Sequence, residues 1–166
     1  MLTFTILLIA NSVFSQVVVS DSLCDGSIYV KTDEYEGIIF GANCPENVKD
    51  DKTYRWSPTE EDIALAEELM KKYIAKIVKK NPSTVIYGTS KIHLNFDKYY
   101  RQYFGIIDRH GRKILFVNCF WKEYENRFPG WKQSLIGVCD GGSYYWRIRV
   151  NLKKKKCFDY RVNGCG

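Results

Sequence analysis

Two histidines are the side chains of this chain that ordinarily exchange protons near neutral pH, and neither has a catalytic neighbour at a telling spacing. His110 lies in Asp108-Arg109-His110-Gly111-Arg112, which has the composition of a solvated tight turn. His93 lies in Lys91-Ile92-His93-Leu94-Asn95 and reads as a partly exposed residue at the start of a strand. No His-x-x-x-His and no Cys-x-x-Cys occurs, so no metal site is expected. Glu60, Glu61 and Asp62 suit the start of a helix. Glu67 and Glu68 stand four residues before Lys71 and Lys72, the spacing of ordinary pairs on a helix's wet side. There is no Gly-x-Ser-x-Gly and no glycine loop of the phosphate-cradling kind. Neither a catalytic set nor a cofactor is expected.

Binding chemistry is more visible. In a strand over 144–152, Tyr145, Arg147 and Arg149 fall on one face, with Arg161 of the next strand beside them. The row ends at Lys153-Lys154-Lys155-Lys156. Arginine grips carboxylate, sulfate or phosphate with two parallel hydrogen bonds, and a neighbouring aromatic stacks on sugars or bases. Trp131, in Phe128-Pro129-Gly130-Trp131, is a second candidate as an exposed apolar loop. The net charge of +6 favours an anionic partner and is too small for a dedicated nucleic-acid binder. Another secreted protein is the other partner expected.

These residues need a scaffold. Residues 27–31 and 36–41 read as short strands. Ser57-Pro58-Thr59-Glu60 has the pattern of a capping box, with the serine as N-cap and proline at the first helical position. Apolar residues follow at Ile63, Ala66, Met70, Tyr73, Ile74 and Ile77, one face of a long amphipathic helix that Asn81-Pro82 stops. Acids crowd its start and lysines its end, as the helix dipole favours. Strands are expected at 99–107, 113–121, 133–139, 144–152 and 157–162, with turns at 108–112 and Asp140-Gly141-Gly142-Ser143. Trp146, Ile148, Val150 and Leu152 should face the helix, as should Phe158, Tyr160 and Val162. The fold class expected is α+β: the helix packed on an antiparallel β-meander of about five strands.

The chain opens Met1-Leu2-Thr3-Phe4-Thr5-Ile6-Leu7-Leu8-Ile9-Ala10, with no charged side chain before Asp21. That stretch is shorter than the roughly 20 apolar residues of a membrane span and fits a signal peptide. Val13 and Ser15 suit a cleavage site that leaves Gln16 first; cuts after Ser12 or Ser20 are alternatives. The expected organisation is a signal peptide at 1–15 and a single domain at 16–166, secreted or periplasmic, with no membrane span. Cys24, Cys44, Cys119, Cys139, Cys157 and Cys165 are an even set, which in an exported chain reads as disulfides. Spacing favours Cys24–Cys44 as a local staple and leaves the other pairings open.

The segments Arg101-Gln102-Tyr103-Phe104-Gly105-Ile106-Ile107-Asp108, Gly111-Arg112-Lys113-Ile114 and Val117-Asn118-Cys119-Phe120 resemble a group of small exported bacterial proteins of unknown function. Asp140-Gly141-Gly142, Asn151-Leu152 and Val162-Asn163-Gly164 add to the likeness, which covers about residues 99–166. The leader ending Phe14-Ser15-Gln16 is similar to leaders of the Bacteroidota. These motifs are turn and strand residues, so the resemblance implies a shared fold and no activity. A helix followed by an antiparallel meander also resembles the cystatin fold. Gln133-Ser134-Leu135-Ile136-Gly137 is similar to the cystatins' Gln-x-Val-x-Gly inhibitory loop, with Leu135 in place of the valine. The expectation is an exported, non-enzymatic binding or accessory protein. A cystatin-like protease inhibitor and a secreted hydrolase are the alternatives.

Overall fold

The computed structural model describes residues 16–18, 23, 26–44, 54–80 and 89–164. The leader expected over residues 1–15 lies outside them, as do Cys24 and Cys165. Strands β1 (Gln16–Val18), β2 (Ile28–Lys31), β3 (Glu36–Phe40) and β4 (Tyr54–Trp56) precede helix α1 (Glu60–Lys80). A short helix α2 (Thr89–Leu94) follows, then β5 (Tyr99–Ile107), β6 (Lys113–Trp121), β7 (Tyr145–Asn151) and β8 (Lys156–Val162). The class is α+β, as expected.

The sheet is mixed where a pure meander was expected. Among the described residues its order is β1-β2-β3-β5-β6-β7-β8, with β4 also on β5. β3 runs parallel to β5, Phe40 opposite Phe104, and the chain between them contains α1. Parallel neighbours need a long crossover, and here the helix supplies it. No strand forms at 133–139, and the stretch at 140–143 is not a hairpin turn: β6 pairs directly with β7. The 122–144 connection instead lies on the sheet face opposite α1. Gln102 Nε2 donates to the carbonyls of Trp131 (2.6 Å) and Ser134 (2.7 Å), and Gln102 Oε1 accepts from Ile136 N (2.9 Å). Asn118 Nδ2 donates to the Ile136 carbonyl at 2.9 Å and to Gln102 Oε1 at 3.0 Å. These two strand amides satisfy backbone groups that a strand would have paired, so the segment docks as irregular chain.

The sheet therefore has two cores. On the helix side Ile63, Ala66, Met70 and Ile74 meet Tyr103, Val117, Trp146 and Val150. On the other side Phe104, Phe116, Phe120, Trp131 and Tyr145 meet Ile38 and Phe40. The side opposite α1 was expected to be solvated; the aromatic connection covers much of it.

Helix α1 begins two residues later than the sequence suggests. Thr59 is the cap: its Oγ1 accepts from Asp62 N (3.3 Å) while Asp62 Oδ2 accepts from Thr59 N (3.0 Å). Ser57 Oγ is occupied by Ala42 N at 3.0 Å. Glu67, expected on the wet side, is only 2% exposed. It follows Ile63 by four residues and precedes Met70 by three, so it points into the core. Arg101, fully buried on β5, donates through Nε to Glu67 Oε1 (3.1 Å) and through Nη2 to Oε2 (3.3 Å). Nη1 and Nη2 also donate to the carbonyls of Tyr99 and Phe96 respectively, and Tyr103 Oη donates to Glu67 Oε1 at 2.8 Å. Burial opposes the guanidinium charge, but Glu67 outweighs it and raises the Arg101 pKa above its usual range. Burial, with Glu67 beside it, raises the Tyr103 phenol well above the ordinary tyrosine range.

A bulge resets β8. Arg147 is opposite Arg161 and Arg149 is opposite Phe158, so Asp159 and Tyr160 together face Ile148. Asp159 takes the left-handed conformation at φ +50°. The bulge shifts the alternation: Tyr160 and Val162 face the helix as expected, but Cys157 joins them and Phe158 turns to the other side.

Gly105, where β4 meets β5, has no room for a side chain: a Cβ would lie 2.1 Å from the Trp56 carbonyl oxygen. Gly137 has no atom within 4 Å of the same position. Gly105→Ala should cost about 1–3 kcal/mol of stability by overpacking, and Gly137→Ala should leave it unchanged. Urea unfolding of the two variants checks this; equal midpoints would contradict it.

Candidate functional site

The arginine row and Trp131 do not form an open binding face. Trp131 is 2% exposed. Its ring stacks on Tyr100 at 4.4 Å between centroids, and its Nε1 donates to Glu125 Oε1 at 3.2 Å. Tyr145, 8% exposed, stacks on Tyr124 and meets the edge of Phe128. Both aromatics are inner residues of the second core, because the 122–144 connection folds back onto the sheet, carrying Trp131 inward and covering Tyr145. Arg147 and Arg161 are exposed and opposite each other, but the bulge swings Asp159 between the arginines. Asp159 pairs with Arg161 Nε at 2.8 Å and with Arg149 Nε at 3.3 Å. Two of the three arginines are thus compensated within the fold.

The cysteines also depart from expectation. Cys119, Cys139 and Cys157 are free thiols. Cys44 is disulfide-bonded. Cys119 (opposite Trp146) and Cys157 (opposite Val150) lie on β6 and β8, with β7 between them. Two strand spacings put them about 9.5 Å apart across the sheet alone, beyond the roughly 4.4–6.8 Å Cα separation of a disulfide. Burial raises both thiols, Cys157 to about 12. They are small core side chains held in the unreactive protonated form.

His93 is exposed on α2 and not on a strand, and His110 is exposed in the β5–β6 turn. That turn is the one expected: Asp108 Oδ1 accepts from His110 N at 2.9 Å and from Arg112 N at 3.0 Å. The Arg112 guanidinium and these N–H groups lower the Asp108 carboxyl to about 2. In the segment 133–137, Leu135 and Ile136 lie half-buried against the sheet, so it is a docked strip and not a projecting hairpin tip. The Asp140-Gly141-Gly142 and Val162-Asn163-Gly164 motifs interlock. Gly142 N donates to the Gly164 carbonyl at 2.9 Å, and Asn163 Nδ2 donates to the carbonyls of Val138 and Asp140.

Positive charge collects elsewhere, around the β7–β8 turn. Asn151 Oδ1 caps this turn from Lys154 N at 2.9 Å, and Lys155 N donates to the Leu152 carbonyl at 3.1 Å. Lys155 sits at φ +48°, a left-handed conformation that glycine or asparagine adopts at lower cost. On one side, a groove of about 510 Å³ separates the turn from α1. Lys72, Lys76 and Lys80 line the helical wall, and Lys155 and Lys156 the opposite one. Leu69, Tyr73, Ile77 and Cys157 form the floor. Lys72 is paired with Glu68. Among the described residues the other four ammonium groups make no ion pair, although Lys155 also acts electrostatically on the Glu68 carboxylate. On the far side of the turn, Lys153 and Lys154 border a second groove with His110, Arg112, Lys113 and the acid Asp62.

The groove escaped sequence reasoning because its walls are about 75 residues apart in the chain. The helix lysines and the turn lysines were each visible, with separate explanations. The helical spacing of Leu69, Tyr73 and Ile77 beside Lys72, Lys76 and Lys80 was the available signal of an amphipathic wall. Among the described residues, no three His, Cys, Asp or Glu side chains are grouped so that they could hold a metal ion. No described helix is long and apolar enough to cross a membrane. No family model, no curated protein and no solved structure matches the chain.

Alkylation of the folded protein without reductant should modify exposed Cys139 and spare Cys119 and Cys157. All three should react once the chain is unfolded. Peptide mapping reads the result, and rapid native labelling of Cys119 or Cys157 would contradict their burial.

Proposed function

We propose that this chain is an exported binding protein, without catalysis of its own, that holds an anionic ligand at the lysine-bearing turn between β7 and β8. The observation that carries this is the collection of lysines from α1 and the turn around one groove, four of them without an ion-pair partner among the described residues. Like charges so placed repel one another, and an anion relieves that repulsion. The left-handed Lys155 supports the reading: a lysine stands where a residue without a strained backbone would stabilise the turn better. The arginine row is the lesser contributor, because Asp159 neutralises Arg149 and Arg161.

Export rests on the apolar leader and on the disulfide at Cys44. Cys24 is its proposed partner, since the neighbouring Leu23 packs in the same cluster as Cys44. The chain is grouped, on this reading, with the small exported proteins that carry the Asp-Gly-Gly and Val-Asn-Gly motifs.

The test is salt-dependent retention on immobilised heparin, with all four of Lys153, Lys154, Lys155 and Lys156 changed to Gln. Binding should weaken at least tenfold, and the slope of log K against log salt should fall by roughly 0.7 for each lysine–sulfate pair removed. Arg147→Gln with Arg161→Gln should change affinity by no more than about twofold, as expected of weakly contributing surface charges. Unchanged retention of the four-lysine variant would overturn the proposal.

A further inference from the structure

The geometry points to a more specific occupant for the groove between α1 and β8: a free, single-chain anionic amphiphile such as an alkyl phosphate, sulfate or carboxylate. This rests on the reading that the lysines bind anions. Its own support is the floor. Leu69, Tyr73 and Ile77 are only half-buried, and they line the groove together with Cys157. A chain of repeating charges would satisfy the lysines and leave this apolar floor wet. An inorganic anion would do the same. An alkyl chain covers the floor while its head meets the ammonium groups, so one ligand relieves both the repulsion and the exposed apolar surface.

The walls suit such a guest. Lys72, Lys76 and Lys80 recur every four residues, so their stems form a row of about 12 Å along the helix. Lysine stems cover apolar surface while their charged ends stay in water, which gives the alkyl chain apolar sides as well as a floor. The volume, about 510 Å³, lies within the roughly 300–1,000 Å³ of small-molecule sites. The lysines stand on both walls of a concavity, so a flat bilayer surface would meet only their outer ends. This favours a free amphiphile over a membrane.

The experiment is a calorimetric titration of the intact protein with octyl, decyl and dodecyl phosphate below their micelle concentrations, with inorganic phosphate as the chain-free control. Affinity should rise about two- to fourfold per added methylene, as burial of the chain requires. Inorganic phosphate should bind at least 100-fold more weakly than decyl phosphate. Ile77→Gln, which puts a polar side chain in the floor, should weaken decyl phosphate at least fivefold. The chain-length series uses the unaltered protein, so it decides the matter even if that variant folds poorly. Lysine-dependent heparin retention with a flat chain-length series would overturn the amphiphile and leave anion binding standing. Unchanged heparin retention of the four-lysine variant would overturn anion binding at the turn, and the amphiphile with it. Binding to phosphatidylglycerol vesicles without binding of the free alkyl phosphates would also overturn it, in favour of a membrane surface.

Discussion

The Glu67–Arg101 pair is the constraint from which the arrangement of this fold follows. Removing a carboxylate and a guanidinium from water costs several kcal/mol for each ion, and only near-complete pairing offsets that cost. Here the pairing is nearly complete: two guanidinium nitrogens on the carboxylate, two backbone carbonyls on the guanidinium, and the Tyr103 hydroxyl on the carboxylate. An apolar contact would let α1 slide or rotate on the sheet. A buried ion pair does not, since a displacement of one turn would strand both charges. Glu67 therefore sets the register of α1 against β5. It also sets which residues of α1 overhang β8, and those are the residues of the lysine groove.

The opposite face of the sheet is organised by amides. Gln102 and Asn118 are paired across β5 and β6, and their side chains hold the 131–136 strip by its backbone. Aromatic rings fill the space beneath, with Trp131 between Tyr100 and Phe120. Each face of the central strands thus carries a buried polar device among apolar neighbours: an ion pair under the helix, an amide pair under the connection. Such groups specify one arrangement where apolar packing alone would permit several.

Much of this was legible in the sequence, and the failures have physical causes. The helix, the β5–β6 turn and the alternation of β7 followed from local pattern, because each is dictated by neighbours in the chain. The mixed sheet was not legible, since the parallel pairing of β3 with β5 is long-range and nothing in a strand's own pattern fixes the direction of its neighbour. The bulge at Asp159 breaks a period-2 pattern without glycine or proline to announce it. Glu67 was read as wet by residue type, although its position on the Ile63–Met70 stripe said otherwise. Cysteine parity suggested a complete disulfide set, but the sheet register keeps Cys119 and Cys157 apart. For the site, the sequence favoured the arginine row and offered the turn lysines only as its end. Only the tertiary structure shows that Asp159 neutralises the first group and that α1 faces the second.

The position of the proposed binding groove on the surface thus depends on a buried pair that does not line it. The most direct measurement of that link is a double-mutant cycle between Glu67→Gln and Arg101→Met, followed by urea unfolding. Each single change should be costly, because it strands a buried charge, and the double change should cost much less than the sum, by about 2 kcal/mol or more. Additive costs would contradict the claim that this pair holds the helix in place.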